Sequence, residues 1–221
     1  VLFFIFTLVS CVNPPEDPGN SLLHEGNIAV LCEGLLGYNN ATLCLINTET
    51  GESNKEFFRS VNPDMTLGDT GNDLLYFGDK LIITVTGSES IVLLDASDGS
   101  FISRVDLPGR NPNKTVGIND TLALASDLYN DSALICYNPK TGKRLPDMPF
   151  EGKNPVDILK IGNRIAVANS ALGIYFQDHI LAGTIALINL ETGENEKHIK
   201  VGPNLSELLL AGNELIACYY G

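Results

Sequence analysis

Four aromatic residues in the longer loops of this chain stand outside the strand pattern: Tyr38, Tyr129, Tyr175 and Phe176. Each has hydrogen-bonding neighbours: Asn39 and Asn40, Asn130 and Asp131, and then Gln177, Asp178 and His179. A flat apolar surface beside amides and carboxylates suits a sugar, a corrin or another large polar small molecule. A second set recurs instead of clustering. Asp73, Lys114, Asp157 and Glu207 each stand six positions ahead of an aligned turn residue. At the mouth of a central channel, an acidic ring with one lysine could hold a cation or a water cluster; the plain alternative is a solvated rim.

Catalysis needs a positioned acid, base, nucleophile or metal. The three histidines, His24, His179 and His198, lie too far apart in the sequence to suggest a metal cluster. No nucleophile elbow, zinc-protease helix, phosphate loop or dinucleotide glycine motif occurs. The enzyme reading that remains is a metal-dependent hydrolase or lyase built on Asp73, Asp157 and Glu207. A formal charge of -13, with 14 basic residues scattered along 221, excludes a general nucleic-acid binder, which needs a basic patch to displace counterions. Cys32 and Cys44 flank Tyr38 symmetrically; a disulfide across two strands and two separate small hydrophobes both fit that spacing.

The opening stretch "VLFFIFTLVSC" has no charged residue and is too short to span a bilayer as a helix. It fits the apolar part of a secretory signal. "LVSC" at Leu8–Cys11 resembles a bacterial lipobox, which implies lipid attachment at Cys11 and an outer-membrane lipoprotein facing either the periplasm or the exterior. The Pro/Asp/Gly-rich segment 12–21 reads as a tether.

What positions the loop residues is a repeat. Turns at Asn27, Asp79, Asp120, Asn163 and Asn213 are separated by 52, 41, 43 and 50 positions. Interleaved with them are "NTETG", "DASDG", "NPKTG" and "NLETG", whose glycines 51, 99, 142 and 193 are 48, 43 and 51 apart. Gly-Asn, Gly-Asp and Asn-Asp pairs tolerate the positive φ of tight hairpins. In the longer turn the leading Asn or Asp can bond its own backbone. The strands before that turn, "TLCLI", "SIVLL", "ALICY" and "TIALI", are apolar at both parities, so both sheet faces are buried. Glycine-rich turns and the lack of any long amphipathic helix point to an all-β chain.

A period of about 40–50 residues with four strands per unit predicts a β-propeller of four-stranded blades. The blades run over 22–60, 61–108, 109–150 and 151–201, with a half-blade at 202–221. That leaves the propeller incomplete, as in a fragment. Hairpin turns and "xxTG" turns share one edge, and the longer loops share the other. The expected binding face is the loop edge, with "EGLLGYNNAT" (33–42), "SDLYNDSA" (126–133) and "NSALGIYFQDHILAGT" (169–184).

These features resemble the YVTN/YncE-like propeller family: a strand, a Gly-Asn/Asp turn, a short strand, then a strand ending in D/N-x-x-T/D-G. "NPDMTLGDTGNDLLYFGDKLIITVTGSESIVLLDASDG" (62–99), behind a lipobox, is similar to YncE-like surface lipoproteins of Bacteroidetes-type bacteria. The resemblance implies about seven blades, of which roughly four and a half are present. It also implies a vitamin B12 ligand and a TonB-dependent outer-membrane transporter as partner. The expectation is a lipid-anchored envelope binder, not an enzyme, without a cofactor, that captures a small molecule such as cobalamin or a glycan or docks a transporter. A purely structural surface scaffold is the third reading.

Overall fold

The computed structural model describes residues 26–173 and 175–220. The lipobox at Leu8–Cys11, the tether 12–21 and His24 lie outside them. The described residues are all-β, in five small antiparallel sheets. The first sheet holds β1 (Asn27–Cys32), β2 (Thr42–Asn47) and β3 (Ser53–Asn54), followed by a short helix α1 (Phe57–Val61). The second holds β4 (Gly71–Phe77), β5 (Lys80–Val85), β6 (Ser90–Asp95) and β7 (Phe101–Asp106). The third holds β8 (Pro112–Asn119), β9 (Leu122–Asp127), β10 (Ala133–Tyr137) and β11 (Met148–Pro149). The fourth holds β12 (Pro155–Ile161), β13 (Arg164–Asn169), β14 (Thr184–Asn189) and β15 (Asn195–Lys200). The fifth is the hairpin β16 (Asn204–Ala211) and β17 (Glu214–Tyr220). Strands pair in chain order within every sheet.

The turns work as their residues dictate. Gly78, Gly162 and Gly212 open the tight hairpins at φ of 64°, 57° and 61°, where a side chain would strain the backbone. In the longer turns Asn47 Oδ1 accepts from the amides of Glu49 and Thr50, both at 2.9 Å. Asn138 and Asn189 repeat that geometry, and Asp95 accepts from Ser97 N at 2.8 Å.

Alternation along each strand splits its side chains between two neighbours. Leu81, Ile83, Val92 and Leu94 face the first sheet, meeting Ala29, Leu31 and Leu43. Ile82, Ile91 and Leu93 face the third sheet, against Ala123, Ala125, Ile135 and Tyr137. Leu124, Leu134 and Cys136 turn the other way, onto Ile165, Val167, Ala186 and Ile188. Ala166, Ala168 and Ile185 then cover Leu205 and Leu208 of the fifth sheet. The sheets therefore stack face to face in sequence order. Each fully buried Leu or Ile contributes about 1.5–3 kcal/mol by leaving water.

Cys32 lies opposite Thr42 and Cys44 opposite Val30. The two thiols therefore do not face each other across β1 and β2, and both are free.

Gly117 on β8 marks a tight contact between sheets: a Cβ there would overlap the Phe77 ring of the second sheet. Gly117→Ala should destabilise the chain by about 1–3 kcal/mol in urea unfolding, through overpacking. Phe77→Leu in the same molecule should recover part of that loss.

Candidate functional site

Strand order sends the connections to two edges. The tight turns at 78–79, 120–121, 162–163 and 212–213 share one edge with the longer Asn- and Asp-led turns. The opposite edge carries 33–41, 86–89, 107–111, 128–132, 150–154, 170–183 and 201–203. The first strands of the second to fifth sheets lie side by side and point the same way, because their cross-links run in step. Asn72 Nδ2 donates to Asn113 Oδ1 at 3.0 Å, and Asn113 Nδ2 donates to Val156 O at 2.6 Å. Thr115 N donates to Asp73 Oδ2 at 2.8 Å, and Leu208 N donates to Asp157 Oδ2 at 2.6 Å. Tyr129 and Tyr175 thus stand on one edge, and Tyr38 stands on the corresponding edge of the first sheet, tied there by Gly71 N donating to Glu33 O at 3.0 Å.

The largest apolar exposures gather on this loop edge. Ile180 is 83% exposed, Tyr175 82%, Leu36 78% and Tyr38 71%, with Leu35 and Tyr129 also above 60%. Phe176 differs: its ring is half-buried, with Lys153 Nζ 4.0 Å from the ring centre. Lys153 Nζ also donates to Asp131 Oδ2 at 2.6 Å, while Asp131 Oδ1 accepts from Asn154 N at 2.9 Å. Asp131 and Phe176 therefore brace the fourth sheet's entry. Asn130 accepts from Ser132 N at 3.0 Å and shapes its own turn. Gln177, Asp178 and His179 are exposed, and His179 Nδ1 accepts from Leu181 N at 3.2 Å.

Asn39 and Asn40 line a cleft of about 240 Å³ between the 33–41 loop and the segment following α1. Its walls are tied across: Ala41 N donates to Gly68 O at 3.0 Å and Gly37 N to Asp69 Oδ2 at 2.7 Å. Asn40 Oδ1 accepts from Leu35 N at 2.8 Å. Glu56, Arg59 and Thr66 join the lining, none of them singled out from sequence. A second cleft of about 380 Å³ lies on the turn edge, between Ile118, Leu122, Lys160 and Leu190.

Asp73, Lys114, Asp157 and Glu207 occupy matching places on β4, β8, β12 and β16, but they do not form a free ring. Register shifts at Gly71/Asp73 and Pro155/Asp157 accompany the turn of Asp73 and Asp157 toward the next sheet, and a matching shift lies at Leu205/Glu207. Asp73 is taken by Thr115 N and by Lys114 Nζ at 3.3 Å. Asp157 is buried and accepts from Ile158 N at 2.8 Å as well as from Leu208 N. Glu207 is exposed. Among the described residues no group of three or more His, Cys, Asp or Glu is placed to hold a metal. Burial pushes the Cys136 thiol up to about 11, which keeps it protonated and poorly nucleophilic near neutral pH.

Burial also pushes Asp157 up to about 6, against the pull of the Leu208 and Ile158 amides and of the Lys114 charge, with Asp73 adding to the rise. The folded state therefore binds this proton more tightly than the unfolded chain, whose carboxyl sits at 3.8. Stability from this group falls as pH climbs from about 4 to about 6.

No family model matches the chain, and no curated protein matches it in sequence. Solved structures do. The computationally designed Ika8 protein has a TM-score of 0.61 at 10% identity, over 89% of this chain and 53% of that one. Hydrazine synthase from Kuenenia stuttgartiensis has a TM-score of 0.59 at 11% identity, over 76% of this chain and 46% of that one. The designed Ika4 protein has a TM-score of 0.51 at 12% identity, over 69% of this chain and 92% of that one. The likeness is one of all-β fold alone, and the chain spans about half the length of the first two. None of the three names the YVTN/YncE-like family.

Asp157→Asn should remove the pH dependence due to this group. Against the variant, the unmutated chain should lose on the order of 2–3 kcal/mol between pH 4 and pH 7, read from denaturant unfolding across that range.

Proposed function

We propose that this chain is part of a β-propeller serving as a cell-envelope binding module, which holds a small molecule or docks an outer-membrane transporter through its loop edge. One observation carries the reading: the most exposed large apolar side chains, Leu36, Tyr38, Tyr175 and Ile180, all stand on that edge. Apolar groups held in water on one side of a rigid scaffold mark an interaction surface. Sheets stacked face to face in sequence order, with their first strands side by side, support the propeller reading. Lipid attachment at Cys11 rests on Leu8–Cys11 alone, and cobalamin as the ligand rests on the family resemblance alone.

The hydrolase or lyase reading needs free carboxylates at Asp73, Asp157 and Glu207. Both oxygens of Asp73 and of Asp157 are already engaged by donors from their own or neighbouring strands. That favours binding over catalysis.

The test replaces Leu36, Tyr38, Tyr175 and Ile180 together by Ser. Immobilised chain is challenged with detergent-solubilised outer membrane of the parent cell and, separately, with cobalamin. The unmodified chain should retain a transporter or cobalamin, and the variant should retain it about tenfold less or worse. No retention by the unmodified chain, or equal retention by both, would overturn the proposal.

A further inference from the structure

The cleft beside Asn39 is built differently from the apolar tips around it. Its rim holds one carboxylate, Glu56, and one guanidinium, Arg59, together with the Asn39 amide and the hydroxyls of Thr42 and Thr66. Among the described residues none of these five side chains has a hydrogen bond or ion pair. Glu56 and Arg59 leave each other free although they stand three positions apart. The floor is apolar, with Phe58, Met65 and Leu67.

The walls are fixed before any ligand arrives. Arg104 Nη2 donates to the carbonyls of Thr66 and Leu67 at 3.0 and 3.1 Å, holding the back of the cleft from the second sheet. Asn62 Nδ2 donates to Phe58 O and Gly99 O, at 3.1 and 3.0 Å, and fixes α1 to the same sheet. On the facing loop a Cβ at Gly34 would fall 2.6 Å from Asn40 Oδ1, so the loop packs tightly on itself. A site with its walls already in place loses little entropy on binding.

Resting on the loop edge as the binding surface, we infer that this cleft takes a single neutral sugar ring. The rim carries one charge of each sign, so its net charge favours neither an anion nor a cation. Carboxylate, guanidinium and amide are planar groups able to bond two adjacent hydroxyls at once. Threonine hydroxyls can donate or accept, as alcohols require. The apolar floor suits the C–H face of a pyranose. The volume, about 240 Å³, lies below the usual range of drug-sized pockets, roughly 300–1,000 Å³. A corrin does not fit inside it.

Saturation-transfer NMR on the whole chain tests this, with methyl glucoside, methyl galactoside and methyl mannoside as probes at millimolar concentration. At least one should receive saturation on its ring protons. The signal should be lost in Arg59→Ala and in Asn39→Gly, the latter keeping the positive φ of 52° at that position. It should persist in Glu191→Gln, a change of an exposed residue on the turn edge. Amide spectra of each variant check that the fold is kept; should one not fold, Thr66→Val takes its place and should also lose the signal. Absence of transfer from all three sugars, survival of the signal in either cleft variant, or its loss in Glu191→Gln would overturn the inference. Transporter or cobalamin retention that persists in the cleft variants would leave the docking surface standing, so the two readings fail separately.

Discussion

Where the first strands of neighbouring sheets run side by side, side chains take the place of a backbone ladder between them. An edge strand carries a row of amides and carbonyls that must find partners once water is excluded. Here the partners come from the sheet next door. Asp73 takes the Thr115 amide, Asp157 takes the Leu208 amide, and Asn113 bonds in both directions, to Asn72 and to Val156 O. Lys160 Nζ closes the row on Ile118 O at 3.0 Å. The local register shifts ahead of Asp73 and Asp157 bring the carboxylates to these amides. A buried carboxylate in such a place is a compromise: it satisfies two amides, yet burial raises its proton affinity.

Stacking follows from the same arrangement. Once the first strands are tied side by side, neighbouring sheets must overlie each other, and every second residue of β5, β6, β9 and β10 meets a different partner. That accounts for strands with no polar face. Ile82 and Ile83 are adjacent in sequence, fully buried, and belong to cores on opposite sides of one sheet. Tyr137 shows how closely these layers are fitted: its hydroxyl is buried and meets Thr115 Oγ1 at 2.5 Å.

The turns and the two-sided burial were legible in the sequence because both are local. Asn47, Asn138 and Asn189 act on backbone amides two and three residues away, and chain spacing alone predicts that. The six-residue spacing of Asp73, Asp157 and Glu207 was equally legible, but their use was not. Spacing gives a position along a strand; it does not say toward which sheet a local shift turns it. The helix at 57–61 is too short for a periodic signal and is defined by the burial of Phe57 and Phe58. Lys153 carried no signal either, since its partners Asp131 and Phe176 lie 22 and 23 residues away on opposite sides. Aromatic loop residues were visible as exceptions to the strand pattern, and the structure divides them: Phe176 is braced by Lys153, whereas Tyr38, Tyr129 and Tyr175 project into water.

That division bears on how the loop edge can work. The second, third and fourth sheets are packed on both faces and the first on one, so the loops above them rest on close-packed layers that yield little. Side chains already bonded, such as Asp131 to the neighbouring Lys153–Asn154 segment and Asn130 to its own turn, fix the loops; those left unbonded are available to a partner. The 33–41 loop shows both roles within a few residues. Asn40 holds Leu35, Gly37 holds Asp69, and between these ties Leu36 and Tyr38 are held out into solvent. An apolar side chain that cannot fold back because its backbone is already committed is prepared for contact without further ordering. Its exposure then follows from geometry and not from looseness of the loop.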